Sequence, residues 1–325
     1  MIGTINFSVF LDEYAFQAPY QIEHRESGMN NTTRMITAGA DRFVLRVYNN
    51  HKDADIVRLE HEVLSELSSK SPPFRVPVPV RNKHDDTVCS AADGTLAALF
   101  YYIDGERTTA ANNQHVFALG KTSGLLTRAL SEIKPDRTPL YSPYYSLEDT
   151  YSAMEEMAFL ALPEQCEGLA ARRDSFILLQ SERDKLKPEC EIIAQLPKQW
   201  IHGDLVFNNT VSQGDEIVGV LDFEFTTVDV RAMELAVIAA DLIKASDPEF
   251  PDKLKLLLNG YSEAFQLSEI ELGKLPVLMK LRLLDVALHF ALRYRDGLDR
   301  DDVLCGIIDQ SAFGCKWINE HWEDR

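Results

Sequence analysis

Several features that would assign this chain quickly are missing from it. No two cysteines stand at CxxC spacing: Cys89, Cys166, Cys190, Cys305 and Cys315 are scattered and odd in number. That leaves no support for a zinc ribbon or a dithiol redox centre, and the five read as reduced thiols of a cytosolic protein. Positive charge is scarce. Lys and Arg total 33 against 51 Asp and Glu, a formal net charge of −18 over 325 residues. Such a balance repels nucleic-acid phosphates and anionic membranes, so no nucleic-acid or membrane partner is expected. It suits a cationic or zwitterionic substrate, but an acidic surface also serves solubility. No apolar run approaches the roughly 18 residues of a membrane span. The opening "MIGTINFSVFLDEYAF" has no basic start and carries Asp12 and Glu13 early, unlike a signal peptide. Internal repeats and low-complexity segments are absent. His24, His51, His61, His84, His115, His289 and His321 show no metal-ligand spacing.

What is present is an ordinary globular composition, 45% apolar and 26% charged, enough for a sizeable core in one large or two ordinary domains. Early in the chain "TTRMITA" and "RFVLRVY" flank the turn "GAD" and read as paired strands. Residues 53–68 place Ile56, Leu59, Val63, Leu64 and Leu67 at helical spacing, with Asp53 or Asp55 able to cap. "RVPVPV" is held extended by its prolines, and "TLAALFYYIDGE" reads as a buried strand ending in an Asp-Gly turn. After Gly105 the pattern turns helical, over 113–133, 146–193 and from Ala232 onward, broken by short strands near 209–212 and 216–223. We therefore expect a strand-rich N-terminal lobe, 1–103, and a larger helical lobe, 104–325. The cleft between two lobes is a favoured ligand site.

The densest chemistry lies in "QWIHGDLVFNNTV", residues 199–211, where His202, Asp204, Asn208 and Asn209 follow the apolar Trp200 and Ile201. Asp and Asn form helix and strand poorly, so this is a loop between buried elements; a plain Asx-rich turn is the ordinary reading. A second carboxylate, Asp222, closes the apolar strand "IVGVLDF". Asp204, Asn209 and Asp222 then sit on adjacent loops. Two carboxylates and an amide oxygen are the hard ligands that suit magnesium held by few protein oxygens plus substrate phosphates. Phosphoryl transfer also needs a carboxylate that orients and deprotonates the attacking hydroxyl.

"HGDLVFNN" followed by "VLDFE" resembles the aminoglycoside phosphotransferase and choline kinase-like superfamily, relatives of the protein kinases, and within it the type II homoserine kinases of bacteria. The likeness runs in order from the N-terminal hairpin to "RAMELAVIAADL". It implies an α+β, bilobal protein kinase-like fold: a small antiparallel-sheet N-lobe with one helix and a larger, mainly helical C-lobe. It implies an ATP- and magnesium-dependent kinase acting on the hydroxyl of a small molecule. Asp204 would be the catalytic base, Asn209 and Asp222 the magnesium ligands, and His202 a structural buttress. Gly28, Asn30 and Asn31 of "SGMNNTT" would cover the phosphates, although the GxGxxG of protein kinases is lacking.

Arg46 stands where many relatives have a phosphate-contacting lysine, a departure that keeps the charge but alters the geometry. Glu60 would be its ion-pair partner, with Glu62 as the alternative on another helix face. Tyr101 and Ile103 would offer backbone groups to adenine, with Phe100 behind. Glu224 stands where protein kinases have Gly, and Glu234 would support the catalytic loop from below. Residues 278–297 read as a core helix. Homoserine, another amino alcohol, choline and an amino sugar all remain as acceptors, and oligomeric state has no signature. A nucleotide-binding regulator without turnover is the competing reading; a metal-dependent hydrolase lacks a second histidine near the cluster.

Overall fold

The computed structural model describes residues 5–24, 31–49 and 52–322. A short helix α1 (Ser8–Leu11) precedes β1 (Tyr20–His24), β2 (Asn31–Ala38) and β3 (Asp41–Tyr48). β2 and β3 form the expected hairpin, with Ala38 opposite Asp41 and Gly39 at φ +65° making the tight turn. α2 (Ala54–Ser69) follows, and Asp53 is its cap, accepting the Asp55 amide at 2.9 Å. Its buried face carries Val57, Glu60, Val63, Leu64 and Leu67. Ile56, expected inside, is only half-buried and Val57 takes its place. Ile56 lies in the first turn of α2, one turn before Glu60, where Asp53 and Asp55 are exposed and Ala54 is half-buried.

β4 (Cys89–Ser90) and β5 (Leu96–Tyr101) complete an antiparallel sheet in the order β1-β2-β3-β5-β4. "RVPVPV" runs extended beside β5: Val80 donates to Leu99 O at 2.7 Å and Tyr101 donates to Val78 O at 3.1 Å. Pro77 and Pro79 alternate with these bonded positions, so their missing N–H groups cost nothing. One face of the sheet buries Ile36, Leu45 and Leu99 against Phe10, Leu11 and Tyr14. The other packs Tyr48, Ala98 and Phe100 on α2 and continues into the rest of the core.

The rest of the chain is mainly helical. β6 (Glu106–Arg107) leads to α3 (Asn113–Leu130), capped by Asn112, then α4 (Leu147–Thr150), α5 (Glu156–Ala161), α6 (Glu167–Ala170) and α7 (Arg173–Ile193). β7 (Lys198–Ile201), β8 (Thr210–Gln213), β9 (Glu216–Val220) and β10 (Thr227–Val230) come next. β8 and β9 are the expected hairpin, joined by β6 at the edge; β7 pairs antiparallel with β10, a ladder the sequence reading did not include. α8 (Met233–Leu242), α9 (Phe250–Ala264), α10 (Glu269–Arg295) and α11 (Asp301–His321) close the chain. α8 is almost wholly buried, and α10 opens with a Ser268–Glu271 capping box. The fold is thus a small antiparallel sheet with one long helix, followed by a larger helical part. Among the described residues no helix is long and apolar enough to cross a membrane.

Candidate active site

β7 and β10 deliver two loops to one place. The first begins at His202, which is fully buried. Its Nδ1 accepts the Asp204 amide at 3.2 Å and its Nε2 reaches Leu221 O at 2.8 Å, so the ring is neutral with the proton on Nε2. Burial lowers its pKa, which agrees with that form. The ring thereby ties the Asp204 loop to the residue before Asp222. Beneath it, Glu234 accepts the His202 amide at 2.7 Å. Burial pushes the Glu234 carboxyl up to about 8. Gly203 adopts φ +81°, and a Cβ there would sit 2.7 Å from the Phe225 carbonyl oxygen. Only glycine fits.

Asn209 donates its amide nitrogen to the Asp204 carbonyl at 2.9 Å and to Asp204 Oδ2 at 3.1 Å. Asn209 O accepts from Leu221 N at 2.8 Å, which sets the two loops side by side. Asp222 sits at φ +65°, ψ +65°, a left-handed conformation that Asp tolerates better than most residues. Asp204, Asn209 and Asp222 are therefore brought together.

Arg46 reaches in from β3. It pairs with Glu60 at 2.9 Å and with Asp222 at 3.2 Å, its guanidinium 5.5 Å over the Phe100 ring. Of the two glutamates weighed for Arg46, Glu62 turns elsewhere, toward Asp136 N and Arg137. Burial raises the Glu60 pKa to about 7 against the opposing charge of Arg46. Burial alone would lower the Arg46 pKa, but Glu60 and Asp222 outweigh it and the net shift is upward. Asn31 is buried and donates to Glu224 Oε2 at 2.7 Å, a link from the start of β2 to the Asp222 loop. Gly28 and Asn30 lie outside the described residues. Tyr101 has already given its amide to Val78, so of the two adenine-facing groups expected there its N–H is spent. The Ile103 side chain packs over Gly219.

The far side of Asp204 opens on a cavity of about 380 Å³ lined by Tyr144, Tyr151, Phe225, Arg282, Asp285 and Phe290 among others. Arg282, on α10, pairs with Asp204 Oδ1 and donates to the Tyr144 hydroxyl at 2.7 Å. Tyr144 in turn donates to Gly203 O at 2.6 Å, and its amide is held by Asp229 at 2.6 Å. Burial pushes the Asp229 carboxyl up to about 7. The sequence reading missed Arg282 and Asp285, having taken 278–297 as core. The available signal was a row of polar residues, Arg282, Asp285, His289 and Arg293, at helical spacing on one face of that helix.

The donor set fits a divalent cation. Asp222 Oδ1 is buried; it faces Arg46 as an ion pair at 3.2 Å but accepts no well-aligned hydrogen bond from the described residues. Asn209 uses its nitrogen on Asp204, so its side-chain oxygen is the atom it could offer to a cation. Among the described residues no three His, Cys, Asp or Glu gather as a self-sufficient metal cage.

The family model of the phosphotransferase enzyme family matches residues 21–264. The chain belongs to that family. It is a small-molecule kinase with a hydroxyl acceptor. It is 26% identical over 276 residues to the homoserine kinase of Zymomonas mobilis subsp. mobilis, covering 84% of this chain and 81% of that one. Among solved structures it resembles an amicoumacin kinase in complex with AMP-PNP, Ca2+ and Ami (TM-score 0.71, 16% identity, 95% of this chain and 93% of that one). It also resembles a microcompartment-associated aminopropanol kinase (TM-score 0.68, 17% identity, 97% and 96%). At such identities these two structures speak for the fold, which is that of the kinase-like phosphotransferases.

Proposed function

We propose that the chain transfers the γ-phosphoryl group of ATP to the hydroxyl of a homoserine-like amino alcohol. The observation that carries this reading is the position of Asp204. It opens on the cavity on one side and is held by Asn209, next to Asp222, on the other. An acceptor seated in the cavity places its hydroxyl at Asp204, which orients it and takes its proton as the oxygen attacks. The new oxygen–phosphorus bond forms as the bond from the γ-phosphorus to the bridging oxygen breaks, and ADP leaves. No covalent enzyme intermediate is needed.

Asn209 and Asp222 would hold magnesium, which when bound neutralises charge on the β- and γ-phosphate oxygens. Arg46, kept in place by Glu60, would contact the phosphates, and Gly28, Asn30 and Asn31 would close over them. Phe100, Tyr101 and Ile103 would border the purine. Residues 1–103 would act as the nucleotide lobe and 104–325 as the catalytic and acceptor lobe. Support for homoserine comes from the relative named above, and support for a nucleotide and a divalent metal from the amicoumacin kinase complex. The comparisons lend no support to a regulator without turnover.

The test is ADP release with magnesium and ATP across homoserine, threonine, choline, ethanolamine and several aminoglycosides. Stimulation by homoserine or a close analogue is expected. Stimulation by choline or an aminoglycoside alone would contradict the acceptor named here, and nucleotide binding with no stimulated turnover would contradict the kinase reading.

A further inference from the structure

The cavity beside Asp204 carries a charge pattern that the phosphoryl-transfer roles leave unexplained. Arg282 is a buried guanidinium, its side chain 18% exposed, and it is paired with the residue proposed as the base. Asn209 holds the other oxygen of that carboxylate. Arg282 thus stands between Asp204 and the cavity, where an anionic group of a ligand would meet it.

The other charges narrow what could do so. Arg293, also on the wall, is held bidentate by Asp299 at 2.5 and 3.0 Å and offers little to a ligand. Burial lowers the pKa of His289, which keeps that ring neutral. Among the described residues Arg282 donates N–H groups to Asp204 and Tyr144, and a planar guanidinium has further donors in its fork. Asp285 follows at i,i+3 on the same helix face. Its Oδ1 accepts from Tyr151 at 2.6 Å, while its Oδ2 stands 3.7 Å from Arg282, beyond hydrogen-bond reach. The wall therefore presents a cation and an anion side by side, each with unused bonding capacity. A polycation entering here would meet a desolvated arginine, and a plain anion would meet Asp285. A zwitterion matches both.

We propose that Arg282 and Asp285 form the recognition pair for a zwitterionic acceptor: Arg282 receives its carboxylate and Asp285 its ammonium group. This rests on the reading that the cavity takes the acceptor, and it adds to that reading the residues that select an acceptor with both charged ends. Acceptors without a carboxylate lose the contact with Arg282.

The test compares kcat/KM for homoserine, 3-aminopropan-1-ol, which lacks the carboxylate, and 4-hydroxybutanoate, which lacks the ammonium group. It uses wild type, Arg282→Met, Arg282→Lys and Asp285→Asn, with ATP held saturating. Wild type is expected to prefer homoserine over 3-aminopropan-1-ol by about a hundredfold. Arg282→Met collapses that preference to within about threefold, and Arg282→Lys retains part of it. Asp285→Asn collapses the preference over 4-hydroxybutanoate in the same way. The wild-type comparison needs no variant to fold. If wild type uses homoserine but takes 3-aminopropan-1-ol equally well, or if the preference survives in Arg282→Met, the recognition pair is overturned and the kinase reading stands. If wild type ignores homoserine and phosphorylates choline or an aminoglycoside, the acceptor reading and the pair fall together.

Discussion

Replacing Arg46 by Met removes the counter-charge from two carboxylates at once. Glu60 is 5% exposed and Arg46 14%, so the pair is largely cut off from water, whereas Asp222 at 35% can recover solvation. Removing one member of a buried ion pair costs about 3–5 kcal/mol because the remaining charge is stranded. Asp222's access to water places this case at the lower end. About 3 kcal/mol in a chain of this size lowers Tm by about 4 °C.

The pH dependence separates this cause from a simple loss of packing. Burial holds Glu60 near 7 even with Arg46 opposing it, and without Arg46 its pKa climbs further. A group whose pKa is raised on folding contributes fully below its ordinary value of 4.5, and that contribution is lost as pH rises through the folded value. The penalty of Arg46→Met should therefore be small at pH 5 and grow as pH passes 7. Adding Glu60→Gln should recover about 1–3 kcal/mol at pH 8, since the stranded charge is gone. The assay is thermal melting of wild type, both single variants and the double variant from pH 5 to 8.5. A penalty of equal size at pH 5 and pH 8, or no recovery in the double variant, would refute the reasoning.

Three further outcomes follow from the same geometry. Glu234, held at about 8 by burial, is protonated at neutral pH and loses its contribution as pH rises through that value; Glu234→Gln should be within about 1 kcal/mol of wild type at pH 6 and more stable than wild type at pH 9, read from melts at the two pH values. Gly203→Ala forces a Cβ against the Phe225 carbonyl at a positive φ, and should lower kcat about a hundredfold by displacing Asp204, with a smaller change in Tm than Arg46→Met. Asp222→Asn should raise the magnesium concentration for half-maximal turnover by more than about tenfold, and chelation of metal should abolish wild-type turnover.

Much of the fold was legible because it rests on local pattern. The β2–β3 hairpin is announced by alternating β-branched residues around Gly39, and α2 by its apolar spacing behind Asp53. The loops of Asp204 and Asp222 stand out because polar residues crowd between apolar strands. What could not be read depends on contacts distant in sequence. The β7–β10 ladder joins two four-residue strands that are too short to show a period. Ile56 is less buried than its spacing predicts because it lies in the exposed first turn of α2, which the spacing alone does not show. Arg282 lies 78 residues from Asp204, and only the packing of α10 against the catalytic loop brings them together. The choice of Glu60 over Glu62 likewise needed Arg137 in view, since that arginine occupies Glu62.

The most direct test of the central claim follows the phosphorus itself. Wild type and Asp204→Asn are incubated with ATP, magnesium and homoserine, and the products are resolved by 31P NMR. A new phosphomonoester that forms about 10²–10⁴-fold more slowly in the variant is the expected result. Inorganic phosphate in place of a phosphomonoester, or equal rates in the two proteins, would contradict transfer to a hydroxyl with Asp204 as the base.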